Sequence, residues 1–475
     1  MKKTFALFGL ALAILLTALL FGLRLGPKPI PVEPVEVTQV PVPTPPQQVP
    51  LGEWKARIGD RVTLEATLAN PKVLAESPSS VSLLINLTAK KNEGGPQPDR
   101  AVALVLDRSG SMAGDKIIKA RAAAKALVQR LADQDQLTLI TYASDYSLDL
   151  PLTQVGGNRE RIERIIDQIL DGGGTNLSGG LEQGLRALRT RSDLGIKRLI
   201  LVSDGNANQG ITDPATIAEI TRTARQEGIT VSTLGVGLDF NEDLMTEVAQ
   251  AGGGGYFYAK DGNAIQLALD QELEGLEALA ARAVEVGLEL PAGVSIEQVY
   301  GYRTEAKNGR IVIPVGDMAS GERRQVMVTL RLAGPAVGPA AITNLVLSDA
   351  SPMGGDVEEF QAALSAAAIT DLSEVTASEQ IEVSAVFEEA KAARAREEAA
   401  KSFQNGDRRL AVERLRRQIS ETRAKNAWLK SNQVEDQVQQ MIRISSDLES
   451  AAPESDQGKD LIKSEKLKAR QVFVY

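Results

Sequence analysis

The chain of 475 residues contains neither cysteine nor histidine. These two absences exclude disulfide bonds, thiolate nucleophiles, the Ser-His-Asp and Cys-His catalytic arrangements, and zinc sites that use cysteine or histidine. Any metal ion that this chain binds must therefore be held by oxygen atoms, which favours Mg²⁺, Mn²⁺ or Ca²⁺.

An excess of positive charge is also absent, since acidic side chains outnumber basic ones and the formal net charge is −9 at pH 7. A negatively charged chain is a poor match for a phosphate backbone, which argues against nucleic acid as the main partner. The chain is too long for one ordinary hydrophobic core, so we expect several domains.

A long hydrophobic run lies at the amino terminus. Lys2 and Lys3 precede residues 5–23, which carry no charge, and Arg24 follows. The run is long enough to cross a bilayer and lacks a good small-residue cleavage site, so we expect residues 1–24 to be a retained signal anchor. A cleaved signal peptide is the alternative.

Residues 25–52 are rich in proline. Proline excludes a helix or a central strand here and predicts an extended linker that holds the folded part away from a membrane. We therefore expect a single-pass cell-membrane protein whose main part is exported to the periplasm or the extracellular side. With cleavage of the first segment, the protein would be secreted.

Two groups of segments with alternating apolar and polar residues are typical of strands with one buried face. The first group comprises residues 61–68 and 81–88. The second group comprises residues 283–290, 309–315, 324–332 and 341–349. We expect residues 53–97 and 281–350 to form an antiparallel β-sandwich. The region between them is then an insertion, or the two groups form separate layers.

The middle region, residues 98–280, alternates apolar strands with amphipathic helices. Strands are predicted at 101–106, 137–143, 198–204, 229–237 and 255–259. Helices are predicted at about 115–132, 158–170 and 178–191, and further helices begin near 214 and 241. This order predicts an α/β domain with a mostly parallel sheet and helices on both faces.

The composition changes again after residue 350. We expect residues 351–377 to be a linker. We expect a helical region at residues 378–450. Residues 378–426 are rich in Ala, Glu, Arg and Lys, and "NGD" at 405–407 divides them into a helical hairpin, which a further amphipathic helix follows at about 433–448. Residues 451–475 are predicted to be a tail, with "RQVFVY" at its end as a short strand or docking segment.

Oxygen-bearing side chains are concentrated where the predicted strands of the middle region end. Asp107 ends the first strand, and Ser109 and Ser111 follow it. Thr175 follows three glycines, and Asp204 ends another strand. Because the carboxyl ends of parallel strands share one edge of a sheet, we expect these groups to converge. Two carboxylates and three hydroxyls suit a hard divalent cation with a coordination position left open. Helix capping and turn formation are the structural alternative.

This pattern, Asp-x-Ser-x-Ser followed by a later Thr and a later Asp, resembles the metal-ion-dependent adhesion site of von Willebrand factor type A (VWA) domains. The resemblance covers about residues 98–275, and the flanking strands resemble β-sandwich segments that border such domains in exported bacterial proteins. It implies a Rossmann-like, doubly wound domain that binds Mg²⁺, or Mn²⁺ or Ca²⁺. The implied ligands are Asp107, Ser109, Ser111, Thr175 and Asp204.

The resemblance further implies a binding module for adhesion or for an envelope scaffold, in which the cation grips an acidic residue of a partner protein. Enzyme motifs give little support to catalysis: the GxxxxGK[ST] loop is absent, and "DRSGS" is not a GxSxG elbow. We therefore expect no enzymatic activity. The alternatives are a metal-dependent hydrolase that uses carboxylates, and a structural stalk with a non-functional metal site.

Overall fold

The computed structural model describes residues 53–91, 98–191 and 193–472. The predicted signal anchor at 1–24 and the proline-rich linker at 25–52 lie outside these residues. Within the part of the chain that the structure describes, no helix combines the length and the apolar character needed to cross a bilayer.

The elements fall into four consecutive groups. The first strands are β1 (Lys55–Ile58), β2 (Val62–Leu68), β3 (Lys72–Leu74) and β4 (Ser79–Ala89). The central α/β domain contains β5 (Arg100–Asp107), α1 (Asp115–Arg130), β6 (Gln136–Tyr142), β7 (Tyr146–Gln154), α2 (Arg159–Asp167), α3 (Leu177–Arg189), β8 (Ile196–Ser203), α4 (Pro214–Gln226), β9 (Ile229–Val236), α5 (Glu242–Gly252), β10 (Gly253–Ala259) and α6 (Gly262–Glu277).

The next group is again made of strands: β11 (Leu279–Glu289), β12 (Val294–Tyr300), β13 (Glu305–Lys307), β14 (Arg310–Ala319), β15 (Arg323–Leu332), β16 (Gly338–Ala350) and β17 (Val357–Ile369). The last group is helical: α7 (Leu372–Ala377), α8 (Ile381–Gln404), α9 (Arg408–Leu429), α10 (Asn432–Ser450) and α11 (Asp456–Gln471).

The central domain is built on a six-stranded sheet in the order β10-β9-β8-β5-β6-β7. All neighbouring strands are parallel except β7, which runs antiparallel at one edge. The central strand β5 is buried along its whole length because it is apolar on both faces. Val102 and Leu104 pack with α1 and α6 on one side, and Ala103 and Val105 pack with α3 on the other. The predicted doubly wound fold is confirmed.

Two further sheets form the sandwich, in the orders β1-β2-β4-β15-β12 and β13-β14-β11-β16-β17-β3. Strand β4 pairs antiparallel with β15 over ten residues, and β3 pairs in parallel with β17. Strands from before and after the central domain thus share both sheets. Of the two arrangements that the sequence left open, the structure has the insertion, and the α/β domain lies between β4 and β11.

The predicted linker at 351–377 is wrong, because β17 occupies residues 357–369 and pairs along β16. Its buried positions include Leu364, Ala366 and Ala368, which face the sandwich core. The partly exposed positions next to them include Ala367 and Ile369, so apolar and polar residues do not alternate in this part of the strand.

The predicted tail at 451–475 is also wrong, because residues 456–471 form α11. This helix is rich in charge, but Ile462 and Ala469 are buried, and so are the lysines at 463 and 466. Their partners lie on the central domain, far away in sequence, so the local pattern does not reveal the helix. Of the segment expected to be a strand or docking tail, residues 473–475 lie outside the described residues.

Candidate metal-binding site

The five predicted residues meet at the carboxyl edge of the central sheet. Asp107 is the last residue of β5, and Asp204 directly follows β8, its parallel neighbour. The side chains of both aspartates are fully buried, and Ser109 is 1% exposed. Adjacent parallel strands that end at the same level therefore bring two carboxylates from distant parts of the sequence to one place.

Hydrogen bonds connect the serines to both carboxylates. The hydroxyls of Ser109 and Ser111 lie 3.0 Å apart, and Ser111 Oγ donates to Asp204 Oδ1 at 2.7 Å. Asp107 accepts from the Ser109 backbone N–H at 2.8 Å and from Ser203 Oγ at 2.9 Å. The residues after β5 and the residue after β8 thus form one connected cluster of oxygen atoms.

The glycine-rich loop before α3 carries the fifth residue, Thr175. The backbone N–H of Gly172 donates to Arg108 O at 2.7 Å, and Gly110 N–H donates to Gly173 O at 3.1 Å. Gly172 and Gly173 have φ values of +147° and +90°, which other residues rarely adopt. These two glycines therefore let the loop lie against the turn that holds the serines.

The Thr175 hydroxyl and the Ser111 hydroxyl both lie near Gly205. A Cβ atom built on Gly205 would be 3.5 Å from Ser111 Oγ and 3.5 Å from Thr175 Oγ1, so both hydroxyls flank one point. The backbone N–H of Thr175 also donates to the side chain of Asn208, at 2.9 Å, in the loop after β8. The structure therefore brings all five predicted residues together.

Lys116 belongs to the site, although the sequence pattern did not single it out. Its Nζ donates to Asp204 Oδ2 at 2.6 Å and to Ser111 O at 3.3 Å. Lys116 is the second residue of α1, where the helix dipole disfavours a cation. A lysine in the first turn of a helix that follows Asp-x-Ser-x-Ser was the signal that could have revealed it.

The pKa of Asp107 is raised to about 6, chiefly by burial and also by the negative charge of Asp204, while hydrogen bonds from Ser109 and Ser203 act in the opposite direction. A raised pKa at a carboxyl group with a second carboxylate nearby indicates a site that is short of positive charge. A divalent cation would supply that charge.

The donor set fits such a cation. It consists of oxygen atoms alone, two of them on carboxylates that neutralise the ion and three on hydroxyls that fill positions without adding charge. Within the described ranges, no group of three or more acidic side chains converges to hold a metal. The cluster at the sheet edge therefore differs from a calcium cage, which gathers several carboxylates.

Comparison with known proteins identifies the type of the central α/β domain. The sequence profile of the von Willebrand factor type A domain matches residues 101–271. The chain is 31% identical to YfbK of Escherichia coli (strain K12) over 261 residues, which are 53% of this chain and 45% of YfbK. It is 28% identical to human inter-alpha-trypsin inhibitor heavy chain H3 over 165 residues, 33% of this chain and 18% of that protein. The chain thus spans less than half the length of these relatives.

Two solved structures share the fold over a longer part of the chain. A von Willebrand factor type A protein from Catenulispora acidiphila has a TM-score of 0.67 at 16% identity and covers 86% of this chain and 96% of its own. The ArnB paralog VWA2 from Sulfolobus acidocaldarius has a TM-score of 0.59 at 15% identity. The match covers 87% of this chain and 99% of that protein. At these identities the likeness shows the fold alone.

Domains of this type generally mediate protein–protein interaction and commonly hold a divalent metal ion at the metal-ion-dependent adhesion site. The profile match, the relatives and the fold agree on the identity of the central domain. The central domain, at residues 101–271, is a von Willebrand factor type A domain.

Proposed function

We propose that the protein is a divalent-cation-dependent protein-binding module that captures an acidic residue of a partner protein. The residues that would hold the cation, preferably Mg²⁺, are Asp107, Ser109, Ser111, Thr175 and Asp204. The observation that carries the proposal is the convergence of two buried carboxylates and three hydroxyls from three loops on one sheet edge.

Each part of the cluster has a separate task. The two aspartates supply negative charge, and the bonds from Ser203 and from the Ser109 backbone fix the orientation of Asp107. The aspartates are fully buried, whereas Ser111 is exposed, so the cluster opens to solvent at Ser111. When bound, the cation supplies a Lewis-acidic position on that side for an outside carboxylate.

The same chemistry supports binding rather than catalysis. The chain has no histidine to serve as a general base, and Asp107 and Asp204 already accept hydrogen bonds within the cluster. No specific observation favours a hydrolase or a structural stalk with a non-functional metal site. We therefore propose that the protein is not an enzyme.

We also propose that the binding domain faces away from the cytoplasm on a membrane anchor. Support comes from the uncharged run at 5–23 and the proline-rich residues at 25–52. Cell fractionation with protease treatment of spheroplasts, from which any outer envelope has been removed, tests this. The intact chain should be found with the membrane and be cut from outside, whereas a protected chain in the cytosol would rule the proposal out.

Calorimetric titration of the purified chain with Mg²⁺ tests the metal site. The wild type should release or absorb heat on binding, and Asp107→Asn should lose most of this heat because the ion loses half of its charge-neutralising ligands. Asp167→Asn is the control, since Asp167 is an exposed carboxylate on α2 that pairs with Lys125. Equal heats for the wild type and Asp107→Asn would contradict the proposal.

A further inference from the structure

Lys116 contacts the candidate metal site through the carboxylate oxygen of Asp204 that does not accept from Ser111 Oγ. Its Nζ lies 2.6 Å from Asp204 Oδ2, while Ser111 Oγ lies 2.7 Å from Oδ1 of the same carboxylate. The oxygen atom Oδ1, which faces the hydroxyls, is the inner oxygen, and Oδ2 is the outer oxygen. Asp204 is therefore held from both sides, and its inner oxygen remains directed into the cluster.

The fold makes room for this lysine. A Cβ atom on Gly237, the residue after β9, would lie 3.3 Å from both Cε and Nζ of Lys116. Gly237 also has a φ of +79°, which other residues rarely adopt. Both the backbone conformation and the close approach of Lys116 therefore favour glycine here. The Lys116 side chain is only 29% exposed, although lysine side chains on a helix usually extend into water. The local fold therefore accommodates the Lys116 side chain in its contact with buried Asp204.

Lys116 changes the charge balance of the site. Asp107 and Asp204 together carry two negative charges, which a divalent cation would cancel. The ammonium of Lys116 then leaves the loaded site with one net positive charge. A positive loaded site attracts a carboxylate more strongly than a neutral one, but the ammonium of Lys116 also repels the cation and so weakens its binding.

We propose that Lys116 is a positioning residue that fixes Asp204 through its outer oxygen and sets the charge of the site. By this means it lowers the affinity for the cation and raises the affinity of the loaded site for an acidic ligand. This inference rests on the proposed function, because it assumes that the cluster holds a divalent cation.

The first test measures the binding of Mn²⁺ alone to the full chain by calorimetry. Lys116→Met should bind Mn²⁺ about tenfold more tightly than the wild type, because a nearby positive charge is removed. Lys116→Arg keeps the charge and should stay close to the wild type. Lys125→Met is the matched control: it removes the same charge from the same helix about 13 Å further along, where Lys125 pairs with exposed Asp167.

The second test adds acetate to the Mn²⁺-loaded protein and follows water-proton relaxivity, which falls when a carboxylate displaces water from the ion. Acetate should bind the Lys116→Met protein several-fold more weakly than the wild type. Tighter Mn²⁺ binding with weaker acetate binding separates charge setting from a merely structural role, in which both affinities would fall together. Thermal unfolding without metal checks that each variant is folded.

The outcomes separate the two proposals. Equal Mn²⁺ affinities for the wild type and Lys116→Met, or a weaker affinity for Lys116→Met, would overturn the role of Lys116 and leave the proposed function standing. A folded wild type that binds no Mn²⁺ would overturn both.

Discussion

At the scale of single residues, Asp107 shows how burial prepares a charged group for binding. The fold removes this carboxylate from water completely and gives it hydrogen bonds from Ser203 and from the Ser109 backbone, but no ion pair is among its described contacts. Burial accordingly raises its pKa to about 6. The metal-free fold therefore carries an electrostatic cost at neutral pH.

This cost predicts a pH dependence of stability in the metal-free protein. The pKa of Asp107 rises from an ordinary value of 3.8 to about 6 on folding, so the folded state binds a proton more tightly than the unfolded state. The contribution to the free energy of unfolding is fully present below pH 3.8 and is lost as pH rises through about 6, a change of about 3 kcal/mol.

Urea unfolding at several pH values between about 4 and 7, with EDTA present, measures this effect. The wild type should lose stability relative to Asp107→Asn as pH rises, because the variant has no carboxyl group to ionise. Parallel pH profiles for the two proteins would show that burial of Asp107 has no such cost.

The site residues that sequence could reveal are those next to strand ends. Asp107 and Asp204 were predictable because an apolar run precedes each of them and parallel strands end at one edge. Lys116 carries only the weak signal of a lysine in a first helical turn, and Ser203 carries none, because their roles come from contacts with residues 88 and 96 positions away. Such partners are set by the order of strands in the sheet, which the local pattern does not encode.

At the scale of secondary-structure elements, the contact between α11 and the start of α5 stands out for its buried charge. Lys463 Nζ and Lys466 Nζ lie 2.7 and 2.8 Å from the carboxylate of Glu242. All three side chains are about 5% exposed or less. Lys463 also lies 4.0 Å from the centre of the Phe240 ring. This cluster fastens the last helix to the central domain.

Removing the shared carboxylate should release much of this contact. We expect Glu242→Gln to lower the free energy of unfolding by about 3 to 5 kcal/mol, because two buried ammonium groups lose their common partner. Asp239→Asn is the control, since the Asp239 pair with Lys459 is largely exposed and should contribute less than about 1 kcal/mol. Urea unfolding measures both, and equal effects would contradict the account.

The same cluster also makes the stability of the protein depend on pH in acid. Burial acts to raise the pKa of Glu242, but the charges of Lys466 and Lys463 outweigh it and lower the pKa to about 2. The contribution of ionised Glu242 to the free energy of unfolding is therefore fully present above pH 4.5 and is lost as pH falls towards 2.

The elements that sequence missed share a physical cause. Alanines at 366 and 368 in β17 are buried, but the residue between them is also alanine, so the sequence shows no alternation of apolar and polar residues there. The lysines of α11 look like a solvated surface until Glu242 is placed against them. Strongly apolar strands such as β5 and β8, by contrast, were predictable because an uninterrupted run of apolar residues indicates a buried strand.

At the scale of the whole molecule, the apolar cores are built from side chains other than the five site residues. Leu104 and Leu139 belong to the apolar core on one face of the central sheet, whereas Leu64 and Val328 belong to the core of the sandwich. These apolar clusters are formed by side chains that lie between the packed helices and sheets. Metal binding at the edge is therefore expected to add to a fold that is already complete.

Chelation tests this separation. EDTA should leave the far-ultraviolet circular dichroism of the metal-saturated protein unchanged and lower its free energy of unfolding by about 3 kcal/mol, the linkage expected at a hundredfold excess of Mg²⁺ over its Kd. The Asp107→Asn variant should show no EDTA effect. Complete unfolding on chelation would mean that the cation is needed for the fold itself.

The most direct test of the central claim is the anomalous diffraction of crystals grown with MnCl₂. The account predicts one Mn²⁺ peak between the carboxylates of Asp107 and Asp204, with the hydroxyl oxygens of Ser109 and Ser111 within about 2.5 Å. Strong Mn²⁺ peaks elsewhere and none at this edge of the sheet would contradict it.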